Sequence, residues 1–98
     1  MLYFIYLEDI ADNADIRSRL VDAHMAHIGN YAEHIQLGGP IMRSGSDSQA
    51  GGILIVEAET EAAVKGMIEA DPYFKAGLWQ DIKVHPFKEI LNQWASAQ

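Results

Sequence analysis

An α+β fold of one antiparallel sheet and two main helices is what the sequence predicts, on three observations. Two apolar runs too short for helices, LYFIYL at 2–7 and ILIVEAE at 53–59, are each followed by a stretch of helical spacing. A further extended stretch, 81–87, alternates Ile82 and Val84 with polar neighbours. The third observation is size. With 98 residues, 49% hydrophobic and 21% charged, the chain suits one globular domain over 1–98, in which 89–98 is a helical or frayed tail.

The first strand, Leu2 to Leu7, carries large apolar residues at every position and reads as buried on both faces. It ends at Glu8-Asp9. Asn13 or Asp15 can cap the first helix, which meets no breaker stronger than Gly29 before Gly38-Gly39-Pro40 stops it. Ile41 to Gly45 reads as a short strand, Ser46 to Ala50 as a polar turn, and Ile53 to Glu59 as the strongest strand of the chain. Thr60 caps a second helix through Ala70, with Ala63, Val64, Met67 and Ile68 on one side, and Asp71-Pro72 ends it. The segment DPYFKAGLW makes a turn or a short helical piece before the last strand, Asp81 to Phe87. Strand, helix, strand, strand, helix, strand is the ferredoxin-like, split βαβ order around a four-stranded antiparallel sheet.

Two helices cover one face of such a sheet. The first and third strands are apolar on both faces, so a second copy of the sheet is the expected cover, giving a homodimer through sheet faces with higher assembly left open. Fourteen acidic against seven basic residues give a formal net charge of -7, which repels phosphate backbones and anionic membranes, so neither nucleic acid nor a membrane is expected as a partner. The absence of cysteine excludes disulfides and thiolate chemistry and points to a reducing compartment. No run approaches the roughly 20 apolar residues of a membrane span, and no leader pattern opens the sequence. A cytoplasmic location is the expectation.

On a helical wheel, Leu20, Val21, Met25, Ile28, Tyr31 and Ile35 share one arc of the first helix, with His24 inside it and His27 and His34 at its edge. An imidazole pointing at the sheet needs a hydrogen-bond partner, so His24 is either a satisfied core histidine or a functional one. His24 and His27 have a spacing that suits a metal, yet no third ligand is fixed by spacing, and no metal site is expected. The glycines at 38, 39, 51 and 52 read as a helix stop and a hairpin turn, or as places where a ligand approaches the backbone. Asp71 before Pro72 is a turn former in its simplest role. The sequence has no dinucleotide fingerprint, no phosphate loop and no nucleophile elbow around Ser44, Ser46 or Ser48.

Together, MLYFIYLED, AHMAHI around His24, Gly39-Pro40-Ile41, GGILIVEAE, ADPYFKAGLW and VHPFKEIL resemble the YCII (YciI-like) family over almost the whole chain. The resemblance implies a dimeric α/β barrel and a pocket in which a helix histidine faces the aspartate of the DPY segment, here His24 and Asp71. It implies Tyr31, Gly39, Pro40, Gly52 and Tyr73 as substrate-binding residues around that pair. Tyr73, Phe74 and Trp79 are candidates for an aromatic wall, or equally for core or dimer contacts. Enzymes of the family are dehydrochlorinases of chlorinated hydroxyquinols, with the His and Asp pair as the catalytic dyad and no cofactor. Two positions depart from the pattern. Val21-Asp22 stands where an Arg-Pro pair is frequent, and Gly52 stands where a serine is frequent, so Arg19 and Arg43 become candidates for the missing cation.

Three functions follow from this reading. The first is a cofactor-free lyase-type enzyme in which Asp71 fixes the tautomer of His24 and the imidazole is the acid or base on a small aromatic or enolisable substrate. The second is a non-catalytic dimeric module that binds a small ligand or a partner protein. A cofactor-independent monooxygenase is the third, and fold alone does not choose among them.

Overall fold

The computed structural model describes residues 1–96, and the last two positions of the expected tail, 97–98, lie outside the described residues. The elements are β1 (Leu2–Asp9), α1 (Ala14–Gly29), β2 (Ile35–Met42), β3 (Gln49–Glu57), α2 (Glu61–Glu69), α3 (Pro72–Lys75), β4 (Trp79–Phe87) and α4 (Gln93–Ser96). All strand pairs are antiparallel and the order across the sheet is β2-β3-β1-β4, the split βαβ arrangement expected above.

β1 runs down the middle, and its burial alternates strictly. Tyr3, Ile5, Leu7 and Asp9 face the helices and are buried, while Leu2, Phe4, Tyr6 and Glu8 face the other way and are half-buried. Opposite Tyr3 and Ile5 stand Val56 and Leu54 of β3 and Pro86 and Val84 of β4. α2 closes this side with Val64, Met67 and Ile68, and its N-terminus is fixed by Thr60, whose hydroxyl accepts from the Ala63 N–H at 3.1 Å. Fully burying each of these aliphatic side chains contributes roughly 1.5–3 kcal/mol, so this cluster sets where α2 lies.

The region between the first helix and β3 differs from the expectation. α1 ends at Gly29 and not at Gly38, and two turns through 30–34 lead into β2. Gly38-Gly39-Pro40 is therefore the middle of a strand. Proline is accommodated because β2 is an edge of the sheet, as is β4, where Pro86 lies. The hairpin turn falls at 43–48, where Gly45 has φ of 72° and the Arg43 N–H bonds the Ser48 carbonyl. β3 begins at Gln49 rather than Ile53, so Gly51 and Gly52 are strand residues and not the turn.

Gly51 has a packing reason. A Cβ there would overlap the Leu7 carbonyl oxygen of β1, so only glycine lets the two strands close at this end. Tyr31 and Ile35 pack against the core from beyond the end of α1, and Val21 and Met25 lie outside the inward arc. No α1 residue is fully buried; Leu20, His24, His27 and Ile28 face inward, and Val21 and Met25 are 42% and 57% exposed.

Replacing Gly51 by alanine is expected to cost about 2 kcal/mol or more by forcing β1 and β3 apart. Gly66→Ala, in α2 where nothing lies within 4 Å of the new Cβ, is expected to stabilise by about 0.4–1 kcal/mol. Denaturant unfolding of both variants checks the contrast, and equal effects would contradict the strand-closure account.

Candidate active site

His24 lies five residues before the end of α1, on the stripe that faces α3, and Asp71 is the N-cap of α3. The His24 Nδ1 is 2.8 Å from Asp71 Oδ2 and 3.0 Å from Oδ1. Asp71 is 2% exposed and cannot be satisfied by bulk water. Its Oδ1 also accepts the Tyr73 backbone N–H at 2.9 Å, which closes the first turn of α3, with Pro72 preset for the first helical position. A carboxylate in this position is an acceptor, so Nδ1 of His24 carries the proton and donates. Nε2 is thereby left with its lone pair in the neutral ring. The His24 side chain is 19% exposed.

Rings fix the imidazole plane. Tyr73 stacks on His24 with centroids 4.1 Å apart and planes 17° from parallel, and Trp79 meets both rings edge-on, at 6.5 Å from His24 and 6.1 Å from Tyr73. The Arg17 guanidinium lies 5.3 Å from the Tyr73 ring centre, and the Tyr73 hydroxyl donates to the Arg17 carbonyl at 3.3 Å. Burial pushes the Tyr73 phenol above its usual range; the Arg17 cation pulls the other way and the Asp71 charge adds to the rise.

Sequence reasoning missed Arg17. Its Nε and Nη2 donate to the two oxygens of Asp9 at 2.6 and 3.1 Å, and Asn13 donates to Asp9 Oδ2 at 3.0 Å and to the Gln49 carbonyl at 2.8 Å. The available signal was the spacing of Asp9, Asn13 and Arg17, four residues apart each time across the start of a helix. Asn13 thus does not cap α1 with its side chain. Arg19 pairs instead with exposed Asp15, and Arg43 sits in the β2–β3 turn, so neither supplies the cation beside the ring pair.

The other expected residues have their own neighbours. Tyr31 is set against His27, at 5.2 Å between ring centres, and packs on the core. Gly39 and Pro40 are in β2 opposite Ile53 and Gly52. Among the described residues no hydrogen bond or ring contact joins Tyr31, Gly39, Pro40 or Gly52 to His24 or Asp71. A Cβ at Gly52 would stand only 3.3 Å from the Gly39 carbonyl oxygen, a tight fit for any larger residue. Val21 and Asp22 are exposed on α1. Phe74 is exposed and lines a groove with Ile68, Ile82 and Val84, so the aromatic wall consists of Tyr73 and Trp79 alone. His27 Nε2 donates to the Met67 carbonyl at 2.8 Å and ties α1 to α2. Among the described residues no group of three His, Cys, Asp or Glu side chains is placed to hold a metal ion.

This arrangement, a helix histidine held by the aspartate of a DPY segment, is set in a chain whose residues 1–88 match the YCII-related domain. The chain belongs to this family. Protein YciI of Escherichia coli is 32% identical over 98 residues, covering 93% of this chain and all of that one. An uncharacterised protein of Haemophilus influenzae is 28% identical with the same coverage. Among solved structures, 5-chloro-2-hydroxyhydroquinone dehydrochlorinase of Burkholderia phenoliruptrix, in complex with 2,5-dihydroxybenzoquinone, superposes with a TM-score of 0.85. It is 34% identical and the match covers 90% of this chain and 94% of that one. The likeness extends through the fold described here, four antiparallel strands with α1 and α2 on one face. No helix among the described residues is long and apolar enough to cross a membrane.

The raised Tyr73 phenol has a consequence for stability. A group that holds its proton more tightly when folded stabilises fully below its unfolded value near 10, and that contribution is lost as pH rises through the higher folded value. The wild type is expected to lose stability above about pH 10 more steeply than Tyr73→Phe, by denaturant melts at a series of alkaline pH values. Parallel curves would show that the phenol is not protected by burial.

Proposed function

We propose that this YCII-related protein is a dehydrochlorinase-like enzyme that uses His24 and Asp71 for acid–base chemistry on a small hydroxylated ring. The observation that carries the reading is the pairing of His24 Nδ1 with a buried carboxylate, which leaves Nε2 free to take a proton. The likeness to a dehydrochlorinase of a chlorinated hydroxyquinol supports the substrate class. In this reading a ring hydroxyl loses its proton to Nε2, and the electron pair released into the ring allows chloride to depart with its bonding electrons from a tautomer of the ring. Asp71 stays ionised and stabilises the imidazolium that forms, without taking the proton itself. Tyr73 is buried behind the imidazole, and the partly exposed Trp79 gives the edge of the site an aromatic surface against which a flat substrate can lie. The chemistry asks for no group beyond these side chains.

The proposal includes a second copy of the chain. Phe4, Tyr6, Ile53 and Ile55 share the face opposite α1 and α2, where only the segment around Gln93 and Trp94 lines a groove with Leu2, Ile55 and Phe87, and Phe87 is 40% exposed. Packing two such faces together would remove this apolar surface from water. Light scattering is expected to give twice the chain mass, and Phe4→Glu to give the single-chain mass; a wild-type monomer at micromolar concentration would contradict the dimer.

Chloride release from 5-chloro-2-hydroxyhydroquinone tests the chemistry. Turnover by the wild type is expected to fall about 10²- to 10⁴-fold in His24→Ala and in Asp71→Asn, with the fold retained. Saturable binding of 2,5-dihydroxybenzoquinone with no chloride released from any chlorinated quinol would favour the binding module instead.

A further inference from the structure

We infer that Asp9, Arg17 and Tyr73 form a positioning relay that holds the His24 imidazole in line with Asp71. The inference deepens the reading of His24 as the proton acceptor and rests on it for its catalytic meaning, although the relay itself is a matter of contacts. Its first element is the buried ion pair of Asp9 and Arg17. Asp9 occupies the last position of the inward row Tyr3, Ile5, Leu7, and its side chain has no exposed surface. Attraction within a buried ion pair gives back little more than its desolvation costs, so the pair is weak evidence for a purely stabilising role.

The pair is built with care for direction. Arg17 meets Asp9 through two parallel N–H···O bonds, and Nη2 lies 3.4 Å from the Gly51 carbonyl, at the place where glycine lets β3 close on β1. The guanidinium plane is thereby fixed from two strands. From there it faces the Tyr73 ring, while the Tyr73 hydroxyl reaches back to the Arg17 carbonyl. Tyr73 then holds both members of the proposed dyad: its ring stacks on His24, and its backbone N–H binds Asp71 Oδ1. Arg17 and His24 are seven residues apart, two turns on one stripe of α1, which is why one tyrosine touches both. Lysine cannot replace Arg17 here, since it lacks the planar fork that pairs with Asp9 and faces the ring.

The test follows the ring protons of the full-length protein by NMR, without substrate. In Arg17→Lys, which keeps the charge opposite Asp9, the His24 Nδ1 proton is expected to exchange with solvent about tenfold faster, equivalent to roughly 1.4 kcal/mol of lost hydrogen-bond protection. The His27 Nε2 proton, bonded to Met67, is expected to keep its rate. Unchanged His24 exchange in folded Arg17→Lys, or equal acceleration at His24 and His27, would overturn the relay, the latter because it reports general loosening. If Arg17→Lys does not fold, Tyr73→Phe removes only the hydroxyl anchor and is expected to move His24 in the same direction by less; no movement there overturns the relay. The outcome is separate from that of the chloride assay. Inactivity with altered exchange would sink the proposed reaction and leave the relay, and activity with unchanged exchange would do the reverse.

Discussion

Asp71 ends one helix with its backbone, starts the next and binds the side chain of a third with its carboxylate. Its own N–H closes the last turn of α2 on the Ile68 carbonyl, its extended backbone opens α3, and its oxygens receive the Tyr73 N–H and the His24 Nδ1–H. A carboxylate 2% exposed would be strongly unfavourable without those donors. Because α2 is held by Val64, Met67 and Ile68 against the inward face of the sheet, the position of Asp71 is set by the core. The imidazole inherits that position through its hydrogen bond. Site geometry and core packing are in this way one problem, and a change in how α2 sits on the sheet is a change in where Nε2 points.

The two faces of the sheet divide the work. Strict alternation along β1 sends Tyr3, Ile5 and Leu7 to the helices and Leu2, Phe4 and Tyr6 to the opposite side. At the end of the inward row the pattern breaks, with Asp9 buried and Trp79 opposite it on β4. This break marks the site. Polar residues are placed in cores at a cost, and natural chains accept that cost where geometry must be specified. The bulge between Glu8 and Asp9 lies at the same end, where it lets Trp79 pair with Asp9 and turn its ring toward Tyr73 and His24.

Much of the fold was legible. LYFIYL and most of ILIVEAE, as far as Glu57, are strands because they are apolar runs too short for a helix and rich in β-formers. Thr60 caps α2 as its position suggested, whereas Asp71, read as a turn former, caps α3. The middle of the chain was not, because Gly-Gly-Pro reads as a helix stop only if the preceding segment is still helical. Edge strands tolerate that tripeptide, and edge position is a tertiary property invisible in local spacing. Likewise Gly51 looked like turn chemistry when its reason is the Leu7 carbonyl across the ladder. The pairing of His24 with Asp71 came from likeness to a family and not from spacing, since 47 positions separate them. Arg17 escaped notice although it shares the stripe of His24, because the inward arc was defined by its apolar residues and a guanidinium on it has no obvious partner until Asp9 of β1 is placed beneath it.

The central claim is that Asp71 holds His24 with Nδ1 protonated and Nε2 available. Long-range ¹H–¹⁵N correlation of the wild-type histidine rings at neutral pH tests it most directly, with His24 assigned by its own substitution. The account predicts a protonated Nδ1 for His24, with its signal distinct from that of His27, whose Nε2 carries the proton toward Met67. A neutral His24 ring with the proton on Nε2 and a bare Nδ1 would contradict it, because a carboxylate at 2.8 Å cannot donate to that nitrogen.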